Sequence, residues 1–134
     1  SKIPNLKLYV KRNKNGTFGR SLITFNVDRM PCKLVAEILN DEFGIGTRAG
    51  SYCVYEFSRK IMNITCDKTI TEEVKQGKTA NIPGSVRASF SLINNEEDVQ
   101  RLVQAVREIS ENGFEFYSTK YSLDEKSGEW RIKK

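Results

Sequence analysis

The chain has 134 residues, of which 38% are hydrophobic and 29% charged, with a net charge of +5 and no histidine. That length suits one domain around a single core. Without an imidazole, this chain alone builds no Ser-His-Asp triad, no Cys-His dyad and none of the usual zinc ligand sets. No apolar run approaches the roughly 20 residues that span a bilayer, and the opening SKIPNLKLYV lacks the apolar segment of a secretory signal. Cys32, Cys53 and Cys66 stand at spacings of 21 and 13 with no CxxC pair. That pattern fits neither a disulfide framework nor a zinc site, so reduced thiols and a cytoplasmic location are expected.

Along the chain, LKLYVKR (6–12) alternates apolar and polar residues and predicts a half-buried strand. Asn13-Lys14-Asn15-Gly16 supplies turn chemistry, and SLITFNV (21–27) predicts a second strand, so the two make a long-looped hairpin. Pro31 suits the first turn of a helix that carries Leu34, Val35, Ile38, Leu39 and Phe43 on one face. Gly44 stands where a left-handed helix cap is expected. IGTRA (45–49) predicts a short third strand. VYEFSRKIMNI and TITEEVKQGK predict two short helices, the second with Thr71, Glu72 and Glu73 at its start.

A Pro-Gly turn then leads into the apolar strand of IPGSVRASFSLI. Asn95 is a good N-cap, and Glu96, Glu97 and Asp98 complement the positive end of the helix that follows. Val99, Leu102, Val103, Val106 and Ile109 recur at helical spacing up to Gly113. FEFYSTKY (114–121) and EWRIKK (129–134), on either side of Asp124–Gly128, predict a terminal hairpin. The order predicts an α+β, two-layer domain: a mainly antiparallel sheet, helices packed on one face, and a C-terminal hairpin.

Three features carry chemistry. The stretch GIGTRAGSYC (44–53) spaces its glycines as GxGxxxG and follows a helix, which excludes a dinucleotide loop. Glycines there let backbone approach a ligand closely, and Arg48 near Cys53 favours the nucleophilic thiolate. Arg87 stands inside the apolar strand VRASFSLI, where its planar fork calls for a carboxylate, either from this chain or from a ligand. Basic residues cluster at Lys7, Lys11, Arg12, Lys14 and Arg20 and again at Arg131, Lys133 and Lys134. Such clusters are a nucleic-acid footprint or, more simply, a solvated face.

GIGTRAGSYC, VRASFSLINNEEDVQRLVQAV and the opening IPNLKLYV together resemble the C-terminal domain of the class V aminotransferase family, in particular its cysteine desulfurases and selenocysteine lyases. The resemblance runs from about residue 3 to 113 and rests on a loop ending RxGxxC, an arginine strand of the form RASF, and an Asn-capped acidic helix. It implies that residues 1–113 are the small domain of a pyridoxal-phosphate enzyme, with 114–134 as a terminal hairpin extension. The cofactor, its Schiff-base lysine and a stacking histidine would belong to a large domain upstream, so the isolated chain would be inactive.

Cys53 matches the nucleophile that takes sulfur as a persulfide. Arg87 matches the arginine that binds the substrate α-carboxylate, and Arg48 matches the loop arginine beside the nucleophile. The 34 residues from Cys53 to Arg87 exceed the usual separation, so 56–84 reads as an insertion at the mouth of the site. Ser51 and Tyr52 stand where desulfurases often carry histidines. The resemblance further implies an amino-acid substrate and a homodimeric parent enzyme; from the residues themselves, no nucleic-acid, membrane or metal partner is expected. Three alternatives remain open: another class V activity such as transamination or epimerisation, a freestanding basic binding module, and a structural remnant whose active site has decayed.

Overall fold

Alternating apolar and polar residues lay down a four-stranded antiparallel sheet in the computed structural model, which describes residues 2–9, 14–15, 21–51, 60, 62–63, 68–80 and 82–133. The strands are β1 (Leu6–Leu8), β2 (Leu22–Val27), β3 (Arg48–Gly50) and β4 (Ser85–Ser89), in the spatial order β1-β2-β4-β3. On β2 and β4 the buried apolar residues are Phe25, Val27, Val86 and Ala88, and Ser85 at the start of β4 is buried too. Because side chains alternate along a strand, Thr24, Asn26 and Arg87 occupy the opposite face.

The apolar face meets the helices. Helix α1 (Cys32–Asp41) buries Leu34, Val35, Ile38 and Leu39. Helix α2 (Lys68–Lys75) is short. Helix α3 (Glu96–Lys120) contributes Leu102, Ala105, Val106 and Ile109 to the same core. Each buried Leu, Val and Ile among them contributes about 1.5–3 kcal/mol by leaving water. Ser110 Oγ donates to Pro4 O, tying α3 to the approach to β1. A separate two-stranded hairpin, β5 (Tyr121–Asp124) with β6 (Glu129–Ile132), packs on α1. The α+β architecture and the terminal hairpin agree with the sequence pattern.

Several boundaries differ. β1 stops at Leu8, although Tyr9 N still donates to Thr24 O at 2.8 Å; residues 10–13 lie outside the described residues. Pro31 precedes α1 as its N-cap instead of entering the first turn. α2 begins at Lys68, which puts Thr71, Glu72 and Glu73 in its interior. Most of VYEFSRKIMNI lies outside the described residues.

The largest difference is at 114–120, expected as a strand and found as helix. Gly113 (φ 72°, ψ 178°) breaks the helical run, and the chain then resumes helical turns. Ser118 Oγ donates to Glu115 O and Thr119 Oγ1 to Phe116 O, each at helical spacing. This turn buries Tyr117 beside Tyr121, with ring centroids 6.5 Å apart. Over seven residues, aromatic alternation and a helical stripe are hard to tell apart, and burial of Tyr117 decides for the helix.

Candidate functional site

The polar face of the sheet gathers what the sequence keeps far apart. In the strand register Thr24 stands opposite Arg87, and Arg87 stands opposite Arg48. Directly opposed residues of an antiparallel pair have Cβ atoms about 4.5–5.5 Å apart, and like charges there disfavour each other. A pair of guanidinium groups so placed favours an anion between or above them, and the planar fork suits a carboxylate. Arg87 is half-buried on an interior strand, whereas Arg48 is exposed on the edge.

The glycines around this pair have distinct causes. Gly44 adopts φ +65° after α1, and Ile45 N returns to Leu39 O at 2.8 Å. Gly50 ends β3 at φ +130°, a conformation that side chains resist. Gly84 packs so tightly that a Cβ there would stand 2.7 Å from Gly50 Cα and 2.9 Å from Cys32 Sγ. Burial pushes the Cys32 thiol above its ordinary pKa, with backbone N–H groups of Gly50 and Lys33 partly offsetting it. Cys32 is therefore a packing thiol at the start of α1. Cys53 and Cys66 lie outside the described residues; the nearest described positions around Cys53 are Ser51, just past β3, and Lys60.

Beside the arginines, Asn26 Nδ2 donates to Gly84 O at 3.1 Å and to Tyr9 OH at 3.4 Å. A cleft of about 530 Å3 opens at Asn26, lined among others by Lys7, Tyr9, Cys32, Pro83 and Trp130; Arg48 and Arg87 do not line it. Burial raises the Tyr9 phenol pKa, and the Asn26 hydrogen bond opposes that shift. Asn26, Thr24 and Gly84 escaped the sequence reading. The signal was present in LITFNV, where Thr24 and Asn26 are the polar alternates of an otherwise apolar strand. Among the described residues, no group of three His, Cys, Asp or Glu side chains is arranged to hold a metal ion. Among them also, no helix is long and apolar enough to cross a membrane.

Residues 1–102 match the family described as Aminotransferase class-V. The chain belongs to the class-V aminotransferase family. It is also similar to a "Probable cysteine desulfurase" of Halobacterium salinarum, with 32% identity over 88 residues. That alignment covers 66% of this chain and 16% of the relative, so the chain spans only a small part of that protein.

The class-V family is one of pyridoxal-phosphate enzymes, which sets a test for the polar face. Thr24, Arg87 and Arg48 stand in cross-strand register on that face, and their hydroxyl and guanidinium groups are donors of the kind a carboxylate accepts from. This set does not fit the cofactor itself, because these polar donors offer its ring no stacking face. A carboxylate is the kind of anion that guanidinium donors so placed suit.

Proposed function

We propose that this chain is the small-domain portion of a pyridoxal-phosphate enzyme acting on an amino acid, with cysteine as the substrate and Cys53 as the sulfur acceptor. The observation that carries the reading is the opposition of Arg48 and Arg87 across β3 and β4. In this reading Arg87 holds the substrate α-carboxylate in bidentate fashion, and Arg48 adds positive charge from the edge strand. Cys53, three residues beyond Gly50 in sequence, takes the sulfur. The Cβ–S bond of cysteine breaks, an S–S bond forms at Cys53, and a proton ends on the Cβ of the product alanine. Pyridoxal phosphate supplies the electron sink for this reaction and is held by residues outside this chain. A similarity to a probable cysteine desulfurase supports the choice of cysteine among class-V substrates.

The test uses the protein encoded by the full gene. Its pyridoxal-phosphate absorption is recorded, followed by alanine and persulfide formation from L-cysteine, with and without Cys53→Ser. Persulfide that depends on Cys53 supports the reading. Cofactor absorption with turnover indifferent to Cys53 moves the reaction to transamination or epimerisation. Absence of cofactor, with steeply salt-dependent binding to a generic duplex, favours a basic binding module instead.

A further inference from the structure

Asn26 touches three separate pieces of chain around the candidate site. Its Nδ2 donates to Tyr9 OH just past β1 (3.4 Å), to Gly84 O just before β4 (3.1 Å), and contacts Met62 Sδ in the segment after Cys53 (3.7 Å). The carbonyl of Gly84 can only accept, so it fixes which end of the amide faces it. The Asn26 side chain thus reaches from β2 to the point where the chain enters β4, three residues before Arg87. It also reaches the segment that continues from Cys53. Gly84 in turn is wedged against Gly50 at the end of β3, whose first residue is Arg48.

We propose that Asn26 is a positioning residue for the carboxylate site: by holding Gly84 O and Met62 it sets the placement of β4 against β3 and so the pairing of Arg87 with Arg48. The proposal rests on the reading of Arg87 as the carboxylate-binding residue. Asn26 itself touches no reacting atom. Its role is to hold two chain segments whose sequence separation from β2 and from each other is long. Thr24 on the same strand already faces Arg87, so a shift of β4 along β2 would misplace the guanidinium directly. An amide suits this task because it donates without carrying a charge into a face that already holds two cations.

Two variants test it: Asn26→Asp, which keeps the shape and loses the donor, and Asn26→Leu, which removes all hydrogen bonding. Hydrogen exchange is followed in this chain, and the KM and kcat for L-cysteine in the full enzyme. The expected result is exchange faster by about tenfold at residues 60–63 and 84–87, with α1 and α3 retaining their protection. KM rises about tenfold while kcat stays within about threefold. Unchanged exchange at those segments, a loss of protection spread evenly over the chain, or a KM within about twofold of the parent overturns the proposal. The exchange measurement needs no substrate. Local loosening in a protein that turns over no amino acid would retain the clamp between segments but remove its catalytic purpose along with the proposed function.

Discussion

Gly84 and Gly50 touch backbone to backbone: a Cβ built on Gly84 would lie 2.7 Å from Gly50 Cα and 2.8 Å from its carbonyl carbon. The two nearest atoms are backbone and cannot swing aside as a long side chain would; the third neighbour is Cys32 Sγ at 2.9 Å. The contact closes the end of β3 onto the start of β4 and so accompanies the Arg48–Arg87 register.

Gly84→Ala therefore overpacks a backbone contact. The expected cost is about 1–3 kcal/mol of stability, read as a lower thermal midpoint. Crosspeaks of β3 and the start of β4 should shift most in an amide spectrum. Gly46→Ala is the control, because a Cβ there meets nothing within 4 Å, and its effect should be far smaller.

The two arginines differ in setting, and their conservative variants should differ in consequence. Arg87 is half-buried on an interior strand, and lysine cannot reproduce its bidentate fork. If Arg87 binds the substrate carboxylate as proposed, losing a charge-assisted hydrogen bond there costs about 1.5–3 kcal/mol, so Arg87→Lys should raise KM for the amino acid by about ten- to a hundredfold. Arg48 is exposed at the sheet edge, where charge matters more than geometry. Arg48→Lys should change KM only a few-fold, about 1 kcal/mol or less. Equal effects of the two variants would sink this division of labour.

Cys32 should behave as an unreactive thiol. Its folded pKa lies above the ordinary thiol value of 9.0 because burial disfavours the thiolate. At pH 8 its alkylation by iodoacetamide should run slower than that of free cysteine and accelerate on unfolding in denaturant. Peptide mapping assigns the label. Fast alkylation of Cys32 in the folded chain would contradict its role as a packing residue.

The start of α3 gives a pH-dependent prediction. Asn95 Oδ1 accepts from Asp98 N at 3.1 Å, and Asp98 Oδ2 accepts from Asn95 N at 3.1 Å, a reciprocal capping box. Asn95→Ala should cost about 1 kcal/mol. The Asp98 carboxyl is held below its usual pKa by hydrogen bonds, first from the Asn94 side chain and then from Asn95 N–H. A lowered folded pKa contributes stability that is complete above the unfolded value of about 3.8 and disappears as pH falls through the folded value. Midpoints of the parent and Asp98→Asn, measured from neutral to acid pH, should converge at the acid end. A gap that stays constant would count against the carboxylate as the cause.

Much of this protein was readable from local chemistry. Strand alternation in LITFNV, the helical stripe from Leu34 to Leu39, the Gly44 turn and the Asn95 cap each depend on neighbours within a turn or two. The sequence by itself therefore determined the α+β class and marked Arg48 and Arg87 as candidate site residues. It misread 114–120, because seven aromatic and polar residues satisfy both periods until Tyr117 must be buried.

What only the tertiary structure decided is which distant residues meet. Arg48 and Arg87 are 39 positions apart in sequence and opposite each other in the ladder. Gly84 reads as a plain turn residue until Gly50 and Cys32 close on it. Asn26 reads as one polar alternate until its amide reaches Gly84 and Met62. Local sequence sets which face a residue occupies. Strand order and register, which arise from burying one common core, set what stands beside it.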